Sequence, residues 1–165
     1  VYLDGTTLSS NSSPGGGGLN TWDGSATLNN TTVTGNTGIN SAGGISSDEG
    51  DLTITNSTIS NNTSEHNGGG IYNSGGTLTV SNTLVIGNSV TWTYADGSAG
   101  SSTGGGINSA YGTTTLIDTT ITGNFAGSGG GGAKFRETTL TLVNTTISGN
   151  SAPSGYEQDR LDGGE

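Results

Sequence analysis

Apolar residues recur along this chain in short alternating bursts, without the i, i+3, i+4 spacing of an amphipathic helix. Five segments align without gaps: SATLNNTTVTGN ending at Asn36, DLTITNSTISNN at Asn62, TLTVSNTLVIGN at Asn88, TTTLIDTTITGN at Asn124 and TLTLVNTTISGN at Asn150. Alternation puts every second side chain of a strand on one face. The first strand of each repeat therefore turns Leu28, Ile54, Val80, Leu116 and Leu142 inward, with Ala26, Leu52, Leu78, Thr114 and Leu140 two residues earlier. The second strand turns Val33, Ile59, Val85, Ile121 and Ile147 the same way.

The closing asparagines lie 26, 26, 36 and 26 residues apart. Leu19, Ile45, Ile71, Ile107 and Ala133, each preceded by glycines, repeat with the same intervals and supply a third inward stripe. The ten extra residues thus fall between Asn88 and Ile107, in SVTWTYADGSAGSSTG. An earlier, partial repeat places Leu8 and Asn11 in the phase of Val33 and Asn36.

A coil of this size cannot bury its apolar face alone, whereas stacking coils at about 4.8 Å supplies both burial and backbone hydrogen bonds. The predicted fold is all-β, a right-handed parallel β-helix of about six rungs of ~26 residues with three short strands per rung. It forms a single domain over 1–165, with a partial first rung over 1–14, an inserted loop over 89–103 and an irregular C-terminal cap or tail over 153–165.

Two polar ladders follow from the same period. Asn30, Asn56, Asn82, Asp118 and Asn144 share one phase, and strand parity assigns them inward, at a bend. A carboxylate cannot donate as an amide does, so Asp118 is expected to meet backbone or hydroxyl donors, or to be protonated. Asn11, Asn36, Asn62, Asn88, Asn124 and Asn150 share the other phase, at a corner that Gly and Asn suit.

Composition narrows the picture. Only 27% of the 165 residues are hydrophobic and 10% charged, with 33 glycines, too little apolar volume for a broad layered core. Regular β-branched positions argue against disorder, leaving a narrow repeated core. A formal charge of −10 with three basic residues, Lys134, Arg136 and Arg160, excludes a nucleic-acid-binding surface. No apolar run approaches the ~20 residues of a membrane-spanning helix, so no membrane insertion of this segment is expected. Cysteine is absent, which removes disulfides and thiolate metal sites.

The units GGGIYNSGGTLTVSNTLVIGN at 68–88 and GGGINSAYGTTTLIDTTITGN at 104–124 resemble the repeats of secreted β-helix proteins related to the polymorphic outer-membrane protein family. The likeness runs from about Thr7 to Ala152. It implies a right-handed β-helix on a bacterial cell-surface or extracellular protein, serving as a stalk or adhesin passenger.

Candidate chemistry is sparse. A polysaccharide-cleaving site needs paired carboxylates on neighbouring rungs, or a calcium cluster with a nearby base. Asp48, Glu49 and Asp51 share one loop, a weak calcium candidate, but Lys134, Arg136 and Glu137 lie three rungs away, roughly 15 Å along the axis. No other metal and no cofactor is expected, and the chain does not read as an enzyme. His66, beside Glu65, reads as a solvated turn residue.

Leu84 and Ile86 point outward and, with Trp92 and Tyr94 of the insertion, form a candidate interaction patch, most simply covered by the inserted loop itself. Trp92, Tyr94 and Tyr111 could alternatively stack on sugars, making glycans candidate ligands. Outward pairs on the second strand (Thr32/Thr34, Thr58/Ser60, Thr120/Thr122, Thr146/Ser148) are similar to the ice-binding faces of some β-solenoids, with Leu84 and Ile86 interrupting the series. The primary expectation is a non-catalytic structural module, self-associating end to end as a filament subunit or continuing in a longer chain. Carbohydrate binding or cleavage and ice binding are the alternatives.

Overall fold

The computed structural model describes residues 1–91 and 102–152. Among them there is no helix, and the strands pair in parallel throughout. The first sheet stacks Tyr2–Asp4, Ala26–Asn29, Leu52–Thr55, Thr77–Ser81, Thr113–Ile117 and Thr139–Val143. The second stacks Thr7–Ser9, Thr32–Thr34, Thr58–Ser60, Leu84–Ile86, Thr120–Thr122 and Thr146–Ser148. A third contains Ser12–Ser13, Thr37–Gly38, Thr63–Ser64, Ser89–Val90 and Phe125–Ala126. The fourth contains Leu19–Trp22, Ile45–Asp48, Ile71–Ser74, Ile107–Ala110 and Ala133–Arg136.

The chain visits the four sheets in the same order on every turn, making a parallel β-solenoid of five complete turns followed by the first two strands of a sixth. Register is one to one: Leu28, Ile54, Val80, Leu116 and Leu142 are successive partners. The ten additional residues do not disturb it. Ser89–Val90 pairs with Phe125–Ala126, and Thr103 bridges Asn67 and Gly129, so the expected 89–103 loop begins and ends within the rung pattern.

The inward stripes lie where alternation puts them. Leu28, Ile54, Val80 and Leu116 of the first sheet are fully buried, as are Val33, Ile59, Val85 and Ile121 of the second and Ile45, Ile71 and Ile107 of the fourth. Each such side chain contributes roughly 1.5 to 3 kcal/mol of transfer free energy. Leu142, in the last described strand of the first sheet, is 39% exposed because one neighbouring described rung covers it instead of two.

Three strands per rung were expected, and the structure has four. The additional third sheet is built from two-residue strands whose single inward positions, Gly38, Ser64, Val90 and Ala126, are buried but chemically dissimilar. Two residues carry no period, and these four share no hydropathy, so the strand left no apolar signature.

The expected inward placement of Asn30, Asn56, Asn82, Asp118 and Asn144 is also corrected. All five are exposed, with φ between 45° and 51°. Parity counts residues as if the strand continued, but the left-handed residue turns the chain and resets the alternation. The next residue takes the inward slot: Thr31, Ser57, Thr83 and Thr119 are buried. Their hydroxyls donate to the carbonyl two residues back, at 2.9, 2.7, 2.8 and 2.9 Å.

The second ladder is buried and structural. Asn36, Asn62, Asn88 and Asn124 are fully or almost fully buried. The Oδ1 of Asn88 accepts from the Asn62 main-chain N–H at 3.0 Å and from Asn62 Nδ2 at 2.9 Å. Its own Nδ2 donates to Ile59 O and to Asn124 Oδ1, at 2.9 and 3.0 Å. One side chain thus ties three rungs, and the arrangement repeats from Asn11 to Asn150. Above it the glycine run crosses closely: a Cβ on Gly70 would lie 2.6 Å from Gly106 O and 3.1 Å from Asn88 Nδ2. The glycines before each third inward stripe are there because backbone and ladder leave no room for a side chain.

Candidate functional site

The interior holds the aliphatic stripes, the asparagine ladder and a buried polar run of Ser47, Asn73 and Ser109, in which Asn73 Oδ1 has no hydrogen-bond partner, while the acidic and basic side chains among the described residues lie on the outer faces and corners. The corner between the fourth and first sheets carries Asp23, Glu49, Tyr111 and Glu137 in the left-handed conformation. Asp48 ends its strand beside Glu49, and the Asp51 carboxylate accepts from the Thr77 N–H at 3.0 Å. Among the described residues no three acidic, histidine or cysteine side chains gather as a metal-binding group, so the calcium candidate Asp48, Glu49 and Asp51 does not assemble as one.

Tyr111, 50% exposed, lies on that corner with the Arg136 guanidinium 5.3 Å from its ring centroid. Arg136 also pairs with Glu137 at 3.3 Å. These contacts engage one face of the only described member of the proposed stacking trio. Trp92 and Tyr94 lie outside the described residues. His66, half-buried, occupies the turn before Asn67, where its carbonyl accepts from the Thr103 N–H at 3.3 Å.

The corner between the first and second sheets carries the exposed asparagines. Asn82 Nδ2 donates to Asn56 Oδ1 at 2.6 Å, and Asn144 Nδ2 donates to Asp118 Oδ1 at 3.1 Å. Asp118 therefore meets an amide donor in solvent, in place of the backbone or hydroxyl donors expected of a buried carboxylate. Asn56, Asn82 and Asp118 line an open depression of about 390 Å³ with Thr58, Leu84 and Thr120 beside them. Asp118 is the single acid of that lining, so the depression can hydrogen-bond a polar ligand but lacks the second carboxylate of a hydrolytic pair.

The second sheet turns out the pairs read from the sequence except at Ser60, which is buried with its hydroxyl donating to Thr34 Oγ1 at 3.0 Å. Leu84 and Ile86, half-buried, are in register with Thr58 and Ser60 on one side and Thr120 and Thr122 on the other. The apolar pair therefore interrupts the hydroxyl rows on this face.

The first sheet holds what the sequence reading passed over. Thr27, Thr53, Thr79, Thr115 and Thr141 are consecutive register partners, an unbroken outward column of one residue type. Thr77, Thr113 and Thr139 form a second column two residues away along the strand. The signal was present, since each of these threonines sits beside or between the inward residues of its strand; the apolar members of the repeat hid the polar ones.

No family model matches the chain, and no curated protein or solved structure matches it.

Proposed function

We propose that this chain is a non-catalytic structural module of an extracellular or cell-surface protein, a stiff rod serving as a stalk or passenger. The observation that carries the reading is continuity. Sheets and buried asparagine ladder run from rung to rung without a break, even across the ten-residue insertion. Each rung is held by both neighbours, so the repeat resists local opening and transmits load along its axis.

The distribution of acids supports the same reading. Asp48, Glu49 and Asp51 lie at the corner of the fourth and first sheets, and Asp118 at the corner of the first and second. Asp118 is therefore not paired with them, and at their own corner, which Asp23 shares one rung away, no three acidic side chains gather among the described residues. The extracellular placement rests on the repeat's resemblance to secreted β-helix proteins and on its Ser, Thr and Asn surface.

Small-angle scattering combined with turnover assays tests the proposal. The expected result is an elongated particle that releases neither reducing ends nor unsaturated products from neutral and acidic polysaccharides. Sustained product release that disappears in Asp118→Asn would sink it.

A further inference from the structure

We infer that the first sheet carries a water-ordering face that binds ice, formed by the threonine column Thr27, Thr53, Thr79, Thr115 and Thr141 with Thr77, Thr113 and Thr139 beside it. The inference goes beyond the structural reading, in which the rod serves to keep this face flat.

Regularity is the first argument. Parallel one-to-one register places successive hydroxyls of a column about 4.8 Å apart, and the two columns about 6.7 Å apart along the strand. Open sheets normally twist, and sheets that stay flat are stabilised by stacking and side-chain ladders. Here the buried asparagine ladder and the rung stacking supply both. The result is a two-dimensional lattice of identical groups, which a crystal plane requires and a flexible ligand does not.

Hydroxyl availability is the second. At the neighbouring corner Thr31, Thr83 and Thr119 spend their hydroxyls on main-chain carbonyls. No hydroxyl in the two columns of the first sheet has a hydrogen-bond partner among the described residues, so each is available to water. Each hydroxyl also comes with a methyl group, giving an alternation of anchoring and apolar points.

Charge is the third. The protein has a formal charge of −10, yet the outward residues of the last three strands of this sheet are Thr77, Thr79 and Ser81, then Thr113, Thr115 and Ile117, then Thr139, Thr141 and Val143. None is charged. Solvent-facing strands ordinarily carry charge for solubility, and a mobile ionic side chain would disrupt ordered water. Crystalline polysaccharide, the other flat periodic partner, is recognised by aromatic stacking, and the outward columns of this sheet hold a single ring, Tyr2, in the first strand.

The test is thermal hysteresis and partition of the full chain into a growing ice front. Thr115→Lys and Thr141→Lys place a charge on the first sheet, and Thr120→Lys places the same charge on the second sheet in the rung of Thr115. Melting of each variant by circular dichroism reports folding, and Thr141, being exposed, tolerates substitution should Thr115→Lys unfold. The expected result is hysteresis and ice partition in the unmodified chain, lost in both first-sheet variants and kept in Thr120→Lys. Absence of both effects in the unmodified chain, or equal loss in Thr120→Lys, overturns the inference, as does retention on crystalline cellulose or chitin without any effect on ice. Scattering and turnover are read separately, so a failure here leaves the rod intact.

Discussion

Asn36, Asn62, Asn88 and Asn124 climb the inside of the solenoid, while Asn30, Asn56, Asn82 and Asn144 climb a corner outside it, in nearly the same steps. The inner amides are buried, and each satisfies main-chain and side-chain partners on the rungs above and below. The outer amides stand in water, each Nδ2 donating a single inter-rung bond. Burial makes an unmade hydrogen bond expensive, whereas water replaces one lost at the surface. The inner asparagines are therefore selected by their hydrogen-bonding groups, and the outer ones chiefly by tolerance of a left-handed backbone.

Substitution should expose the difference in order of size. Asn88→Ala strips acceptors from two Asn62 donors and a donor from Ile59 O. It should cost about 3 to 5 kcal/mol in urea unfolding, since several buried groups lose partners together. A loss under about 1 kcal/mol would dissolve the distinction between the ladders. Gly70→Ala should cost about 1 to 3 kcal/mol by forcing apart the glycine crossing and the same asparagine.

On the outer ladder, Asn82→Ala should cost only about 1 kcal/mol, the strain of an alanine held at positive φ. Asn82→Gly should fall within about 0.5 kcal/mol of the parent despite losing the bond to Asn56, because glycine accepts that conformation freely. If the glycine variant were as damaging as the alanine one, the amide and not the backbone would set the choice. Asp118→Asn should change stability least, by about 0.5 kcal/mol or less and in the favourable direction, by restoring an amide to the exposed series. Parallel urea titrations with a common slope resolve all five.

The two ladders also mark where sequence reading succeeded and where it stopped. Placing the aliphatic side chains needs only a strand period of two within a repeat of 26 residues, and so Ile54, Val80 and Leu116 were assigned inward and are buried. The spacing of Asn36, Asn62, Asn88 and Asn124 was legible from the repeat, but their burial was not. The corner asparagines were not, because a single left-handed φ at Asn30 or Asn56 reverses the parity that follows and leaves no mark in hydropathy. The third sheet was missed because a two-residue strand has no alternation to detect. The threonine column of the first sheet was countable from Thr27 onward, but which of its hydroxyls stay unbonded depends on neighbours 26 or 36 residues away.

By itself, the sequence determined the rung length, the parallel stacking, the aliphatic stripes and the position of the insertion, because these follow from local alternation repeated at a constant interval. Tertiary structure decided which ladder is inside, that each turn has four strands, and which threonines stand in one outward column. Those outcomes depend on backbone turns at single residues and on inter-rung contacts, and neither is expressed in the pattern of apolar and polar letters.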